Sequence, residues 1–272
     1  MPGLEVTPEK IVFSQSWVNT FMNCPEQARL EMIGELPRVE SDATAVGSAL
    51  HAGVEHVLRG HSMDAGWECA NDTLSELIAL PHFEWKQLKT EDGVRNALER
   101  VYWEWQSEVW PQLPDTMAVE FPFDVTLMHV NGKEIHIKGA IDYVGVGPDG
   151  QLEIWDWKTA ASFRNWNQWE VDRFKIQPNF YSLGLLMSTS PEQFSSDQVT
   201  FIYAVMSKAR QEHSLYTTTR GPADWAWLTQ QLVSIVHLIE ADLPSWPMRD
   251  QHALCSPKWC TAWESCKGSH YR

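Results

Sequence analysis

The sequence predicts an α/β fold: a mixed β-sheet with a three-stranded antiparallel meander, flanked by helices, after a helical N-terminal half. Three observations carry this. Capped, helix-length segments fill the chain up to Pro111 and Pro114. Two turn signals, Asn131-Gly132 and Pro148-Asp149-Gly150, then separate three runs rich in β-branched and aromatic residues. After these come helix, strands and helix, an order that suits helices packed on a sheet.

In chain order, residues 14–33 read as helical, with Ser14 or Ser16 as cap and a break where Pro25 follows Cys24. Residues 42–59 form a second helix, capped by Ser41 or Asp42 and stopped at Gly60. Residues 64–80 and 91–109 are two more. Residues 117–128 read as a strand in which Pro122 requires an edge or a bulge. Residues 133–146 and 151–158 complete the meander. A loop rich in Trp and Asn follows, then a helix over 173–188 that starts near Gln177-Pro178. Strands at 198–206 and 212–219, a helix at 222–241 and an irregular tail from Pro244 close the chain. The organisation expected is one domain over 1–272. Residues 1–40 and 244–272 form a terminal region, 61–115 a helical insertion and 116–220 the core.

Composition narrows the classes. The 272 residues carry a net charge of −15 and 15 tryptophans. No stretch approaches the roughly 20 apolar residues of a membrane helix. MPGLEVTPEKIVF lacks a basic region followed by an apolar core, so the expectation is no signal peptide and a cytoplasmic location. The acidic balance opposes casual binding to nucleic acid, which needs local Lys and Arg, and is compatible with collecting divalent cations.

Chemistry concentrates in Ile154–Ala160, IWDWKTA. Asp156 and Lys158 lie two apart on a strand, hence on one face. Asp142 falls roughly opposite Asp156 across the hairpin. Two such carboxylates repel unless a hard cation such as Mg²⁺ or Mn²⁺ joins them; the plain alternative is a cross-strand ion pair of Asp and Lys. Gly145-Val146-Gly147-Pro148-Asp149-Gly150 fits G-x-G-x-x-G, but it links two strands instead of opening a helix, so it reads as a turn. Cysteine usage also suggests a metal: Cys255, Cys260 and Cys266 cluster in the tail and Cys24 lies near the start. Cys69 reads as a buried thiol.

Gly139, Asp142, Asp156, Lys158 and Thr159 together resemble the PD-(D/E)XK nuclease superfamily in its RecB-like exonuclease branch, where G-x-x-D, a hairpin and D-x-K-T recur. Gly47 and His51 match the branch's upstream G-x-x-x-H, and Gln177 and Tyr181 its downstream Q-x-x-x-Y. Ile141 stands where the superfamily's name implies Pro. The resemblance implies a restriction-endonuclease-like core and a Mg²⁺- or Mn²⁺-dependent deoxyribonuclease acting on single-stranded or end-containing DNA. His51, Asp142, Asp156 and the Trp157 carbonyl would hold the metal. Lys158 would be catalytic, with Asp142 and Asp156. Gln177 and Tyr181 would line the DNA or support the site. Glu55 and Glu120 read as structural residues, with a metal-assisting role as the second reading.

Cys24, Cys255, Cys260 and Cys266 follow the one-plus-three pattern of the subset with a [4Fe-4S] cluster, as in AddB-like subunits and CRISPR-associated RecB-like exonucleases. Zinc is the alternative, though it prefers close C-x-x-C pairs. The chain shows no helicase motif, so the resemblance implies a stand-alone nuclease or a subunit, of a kind found in phages and CRISPR-associated systems. A homo-oligomer or a recombination-protein partner, in a bacterial or phage-infected cell, fits it. Two further readings stand beside this one: a catalytically inactive nucleic-acid-binding subunit and a zinc-stapled structural protein.

Overall fold

The computed structural model describes residues 3–34, 36, 40–148, 150–189, 197–249, 255–257 and 259–266. Its sheet starts earlier than the sequence suggests. Leu4–Val6 (β1) and Lys10–Ser14 (β2) form an antiparallel hairpin ahead of the first helix. The helical N-terminal half therefore opens with two strands. The reason is tertiary: β2 is a short Lys-Ile-Val-Phe-Ser run whose partner is the first half of β4 (Lys133–Val146), with Ile11 opposite Ile135 in parallel register. Nothing near it in sequence announces that pairing.

β3 (Asp115–Val130) runs antiparallel along the whole of β4. It pairs with no other strand, so Pro122, opposite Ala140, has an edge on which its missing N–H costs no ladder bond. Asn131 and Gly132 both take positive φ, 50° and 82°, as a two-residue hairpin turn requires. β5 (Leu152–Ala160) returns antiparallel to β4, and the meander is as expected. The glycine-rich hexapeptide lies in the connecting turn, where Gly147 N–H donates to Gln151 O; Asp149 is outside the described residues. β6 (Val199–Ser207) lies parallel to β5, and β7 (His213–Arg220) antiparallel to β6.

Helices cover both faces. On one side α1 (Gln15–Asn23), α7 (Gln177–Ser188) and α8 (Pro222–Glu240) bury Val18, Phe180, Leu228 and Leu232 against Phe13, Ile137, Ile154 and Phe201 of the sheet. On the other, α3 (Asp42–Leu58), α4 (Met63–Ile78) and α5 (Glu91–Glu104, continued by a π-helical turn at Trp105–Val109) bury Val46, Leu50, Leu98 and Trp105 against Tyr143, Trp155, Trp157 and Ile202. Contact between α3 and α4 is close enough that a Cβ on Gly66 would collide with Val57 and Tyr102. The Asp42 carboxylate at the start of α3 accepts backbone N–H groups from Lys86 to Lys89 and so ties down the loop before α5.

One further helix appears where the Trp- and Asn-rich loop was expected: α6 (Gln168–Phe174), with Asn167 Oδ1 accepting the Glu170 N–H at 2.9 Å as its cap. Among the described residues no helix is long and apolar enough to cross a membrane.

The two chain ends meet. Cys24 sits in extended conformation between α1 and α2 (Pro25–Met32). Glu26, 1 % exposed, pairs with Arg29 at 2.8 Å and accepts the Trp246 N–H at 2.6 Å. Trp246 packs edge-on against Trp17 and Phe21, and Gln27 donates to Thr261 at 3.2 Å. Removing one member of such a buried pair costs about 3 kcal/mol, because the other charge is left behind. Glu26→Ala should therefore lower the unfolding free energy by about that amount and expose the tail to protease. Urea titration and limited proteolysis read both; an unchanged midpoint and cleavage pattern would show the tail is held elsewhere.

Candidate active site

β4 cannot pair with β5 along its full length, because β2 occupies part of the edge that β5 would use. β3 takes one edge; β2 takes the first half of the other, up to Lys138. β5 joins that second edge only from Tyr143 to Val146, opposite Trp155 to Leu152. Residues 139–142 lack a strand partner there, and from Asp156 onward β5 pairs only with β6. The sheet forks, and continuing the register places Asp142 and Asp156 opposite one another where it opens. The alternation of β4 also changes side here: Ile137 and Ile141 belong to the α7 core, Tyr143 to the α3 core.

The fork is closed by side chains. Asp142 Oδ2 accepts the Trp157 N–H at 3.1 Å, a bond the β4 backbone would otherwise supply. From α3, His51 places Nε2 2.8 Å from the Trp157 carbonyl oxygen and Nδ1 3.4 Å from Asp142 Oδ2. From the opposite layer, Gln177 in the first turn of α7 donates Nε2–H to Asp156 Oδ1 at 2.5 Å. Tyr203 Oη reaches the Gln177 carbonyl oxygen at 3.4 Å. Lys158 Nζ lies 2.6 Å from Asp156 Oδ2, an ion pair so poorly aligned that this buried oxygen has no hydrogen bond of normal geometry. The Asp142 and Asp156 side chains are 10 % and 1 % exposed, those of His51 and Lys158 31 % and 32 %. Carboxylates thus form a floor, with the imidazole and ammonium at its rim.

Gln177 is buried against Asp156, a supporting position and not a solvent-facing one. Tyr181, one turn later, packs edge-on against Phe123. A Cβ at Gly139 would meet the Phe123 ring at 2.9 Å, so glycine lets this aromatic stack reach β4. Gly47 faces Thr159 at ordinary contact distance, where α3 crosses β5.

Glu120 joins the group, although the sequence ranked it as structural. Its flanks pair as Val119–Tyr143 and Phe121–Ile141, which sets it against Asp142, and its φ of 50° is rare for a side chain other than Gly or Asn. Ligand atoms of His51, Glu120 and Asp142 lie within 4.8 Å of one another. The β3–β4 register could have revealed it; local sequence could not. Glu55 instead bonds Arg59 at 2.7 Å.

The electrostatics follow from crowding. Burial pushes the Asp156 carboxyl up and Asp142 adds to this, so it titrates at about 6 despite Lys158. Burial, with the charges of Asp142 and Glu55, lifts Glu120 to about 7. Burial opposes a charged His51, but the Asp142 carboxylate outweighs it and raises the imidazole to about 9. Asp142, burial notwithstanding, is held low by His51, Lys158 and the Trp157 N–H. Carboxylates that repel, with one oxygen lacking an aligned donor, fit a hard divalent cation.

Burial raises the Cys260 thiol against a hydrogen bond from the Ala262 backbone, and the charges of Cys24, Cys255 and Cys266 add to the rise. Among the described residues the side chains whose ligand atoms come within 4.8 Å of one another are His51, Glu120 and Asp142, and the four cysteines do not form such a group. Cys69 is apart, on α4, its thiol directed at Ala52 O.

A family model of the PD-(D/E)XK nuclease superfamily matches residues 12–267. Among solved structures, the chain is similar to a "putative exonuclease" from Eubacterium rectale: 15% identity, 89% of this chain and 86% of that one covered, TM-score 0.51. It also aligns with the protein SSO0001 at 13% identity, over 92% of this chain and 96% of that one, at a TM-score of 0.40. None of the curated proteins matches. At these identities the structural likeness concerns the fold.

The raised groups give a pH dependence of one sign. Stability from His51 is complete below its unfolded value of 6.5 and is lost as pH rises through about 9. The raised carboxyls of Asp156 and Glu120 likewise lose their contribution as pH rises through about 6 and about 7. Metal-free protein should melt at progressively lower temperature from pH 6 to 9, and Mn²⁺ should raise the melting temperature more at pH 9 than at pH 6. Thermal unfolding in chelator and in Mn²⁺ tests this; a flat chelator profile would contradict the charge assignment.

Proposed function

The chain belongs to the PD-(D/E)XK nuclease superfamily, and on that premise we propose that it is a metal-dependent DNA exonuclease of the RecB-like type, acting on single-stranded or end-containing DNA. The observation that carries this is the meeting of His51, Asp142, Asp156 and Lys158 in the fork between β4 and β5.

In this reading His51, Asp142, Asp156 and the Trp157 carbonyl hold Mg²⁺ or Mn²⁺, and Glu120 adds a further carboxylate. Such an ion, when bound, polarises a phosphoryl oxygen and makes its water a stronger acid. The chain's own residues do the rest. Gln177 fixes Asp156 through Oδ1 and leaves Oδ2 turned to the site. Lys158, at the rim, presents its ammonium to the charge that develops on the phosphate and orients the attacking water. Trp157 is held by its ring among Trp105, Tyr143 and Trp155, so its carbonyl keeps one position.

Cys24, Cys255, Cys260 and Cys266 would hold a [4Fe-4S] cluster that staples the α1–α2 junction to the tail. Support comes from their one-plus-three pattern in the sequence and from spacings wider than zinc's usual C-x-x-C pairs.

With Mn²⁺, wild-type protein should degrade linear single-stranded DNA, and Asp156→Ala or Lys158→Ala should each slow it by roughly 10²-fold or more in protein that circular dichroism shows to be folded at the assay temperature. Wild-type rates in both variants would reject the site. Closed circular single strands should survive; circles cut as fast as linear strands would make the protein an endonuclease. A separate measurement reads the cluster. Anaerobically purified protein should be brown, with broad visible absorption that is lost in Cys260→Ser. Colourless protein with stoichiometric zinc would replace the cluster by zinc.

A further inference from the structure

The two most exposed large apolar side chains in the described structure sit together. Trp169 is 58 % and Phe174 65 % exposed, and both belong to α6. Their rings meet at 4.9 Å with an interplanar angle of 74°. Contiguous exposed apolar surface of this kind is where binding sites are found.

The helix that carries them is firmly held. Val171 is fully buried under it. Gln168 Nε2 donates to Thr217 O at 2.6 Å, and Arg220, itself buried, donates to the Val171 and Asp172 carbonyls at 3.0 and 3.1 Å. The aromatic pair is therefore presented outward by a rigid base on β7.

Positive charge lies alongside. The Arg173 guanidinium sits 5.8 Å from the Trp169 ring centroid, and Lys175 Nζ 4.5 Å over Trp166. Arg164 is exposed on the preceding turn. Glu170 and Asp172 share the helix, so residues 164–175 carry three positive and two negative side chains, a net +1 within a chain of −15. Trp166 packs edge-on against Tyr203 at 5.3 Å, and Tyr203 Oη donates to Oε1 of Gln177, the residue that holds Asp156 in the fork. Aromatic rings and cations thus lead from α6 toward the fork.

We propose that Trp169 and Phe174, flanked by Arg173 and Lys175, form a stacking platform for unpaired bases of a single-stranded DNA segment whose backbone leads into the β4–β5 fork. The charge complementarity on an otherwise acidic protein and the continuity with the site single out this occupant. Rings stack on any base, so the platform tolerates sequence and selects unpaired over paired strands. It rests on the nuclease reading for the direction in which the strand runs, not for its capture.

The test uses the full-length protein in chelator with a fluorescein-labelled oligothymidylate, read by anisotropy. Trp169→Ala/Phe174→Ala should weaken binding about tenfold or more, about 1.4 kcal/mol, while Trp169→Tyr retains it. In Mn²⁺ the double variant should raise KM on single strands with little change in kcat. Wild-type affinity in a double variant that melts normally would overturn the platform, as would an equal loss on blunt duplex DNA. So would a change in self-association alone, which would make the surface an interface between copies. Lys158→Ala separates the two readings: strand binding that persists without any wild-type cleavage removes the nuclease and keeps the platform.

Discussion

Everything at the site depends on a competition for one edge of β4. That edge is claimed at one end by β2 and at the other by β5, and neither covers residues 139–142. A continuous hairpin would have bonded the Trp157 N–H to a backbone carbonyl and sealed Asp142 and Asp156 between the helical layers. The fork instead makes Asp142 satisfy that N–H with its side chain, and opens a gap at the plane of the sheet. Through it α3 and α7, which pack on opposite faces, each address one carboxylate: His51 reaches Asp142 and Gln177 reaches Asp156.

This arrangement also explains why so many charges tolerate burial. Two floor carboxylates and Glu120 face one imidazolium and one ammonium, both of which reach solvent. In the low-dielectric interior the balance is poor for the protein alone, and the raised Asp156 and Glu120 carboxyls are its signature. An overall charge of −15 deepens the imbalance. The basic residues around α6 matter more for that reason, since the body of the molecule repels phosphate.

What the sequence made legible was local. Asn131-Gly132 announced its turn, Pro122 announced an edge, and the hairpin register alone set Asp142 against Asp156. His51 and Gln177 were found by resemblance, and the structure places both in contact with the fork's residues. What stayed hidden depended on distant partners. β2 takes its place in the sheet from β4, more than a hundred residues later, and Glu120 enters the site only through a left-handed backbone at a position opposite Asp142. Helix α6 was missed for a smaller reason: Asn167 is a good cap, but the segment behind it is too short to show a helical period.

The insertion of β2 also dictates an order of assembly. Its hairpin is synthesised before β4, yet its place in the sheet exists only after β4 has been made. Tail residues such as Trp246 arrive later still to cover Glu26. A chain emerging from the ribosome therefore carries Ile11, Val12 and Phe13 unsheltered through much of translation, and the high sequence separation of these contacts predicts slow, late closure. The fork also needs Gln177 of α7, so its side chains come together only after the chain has been made through that helix.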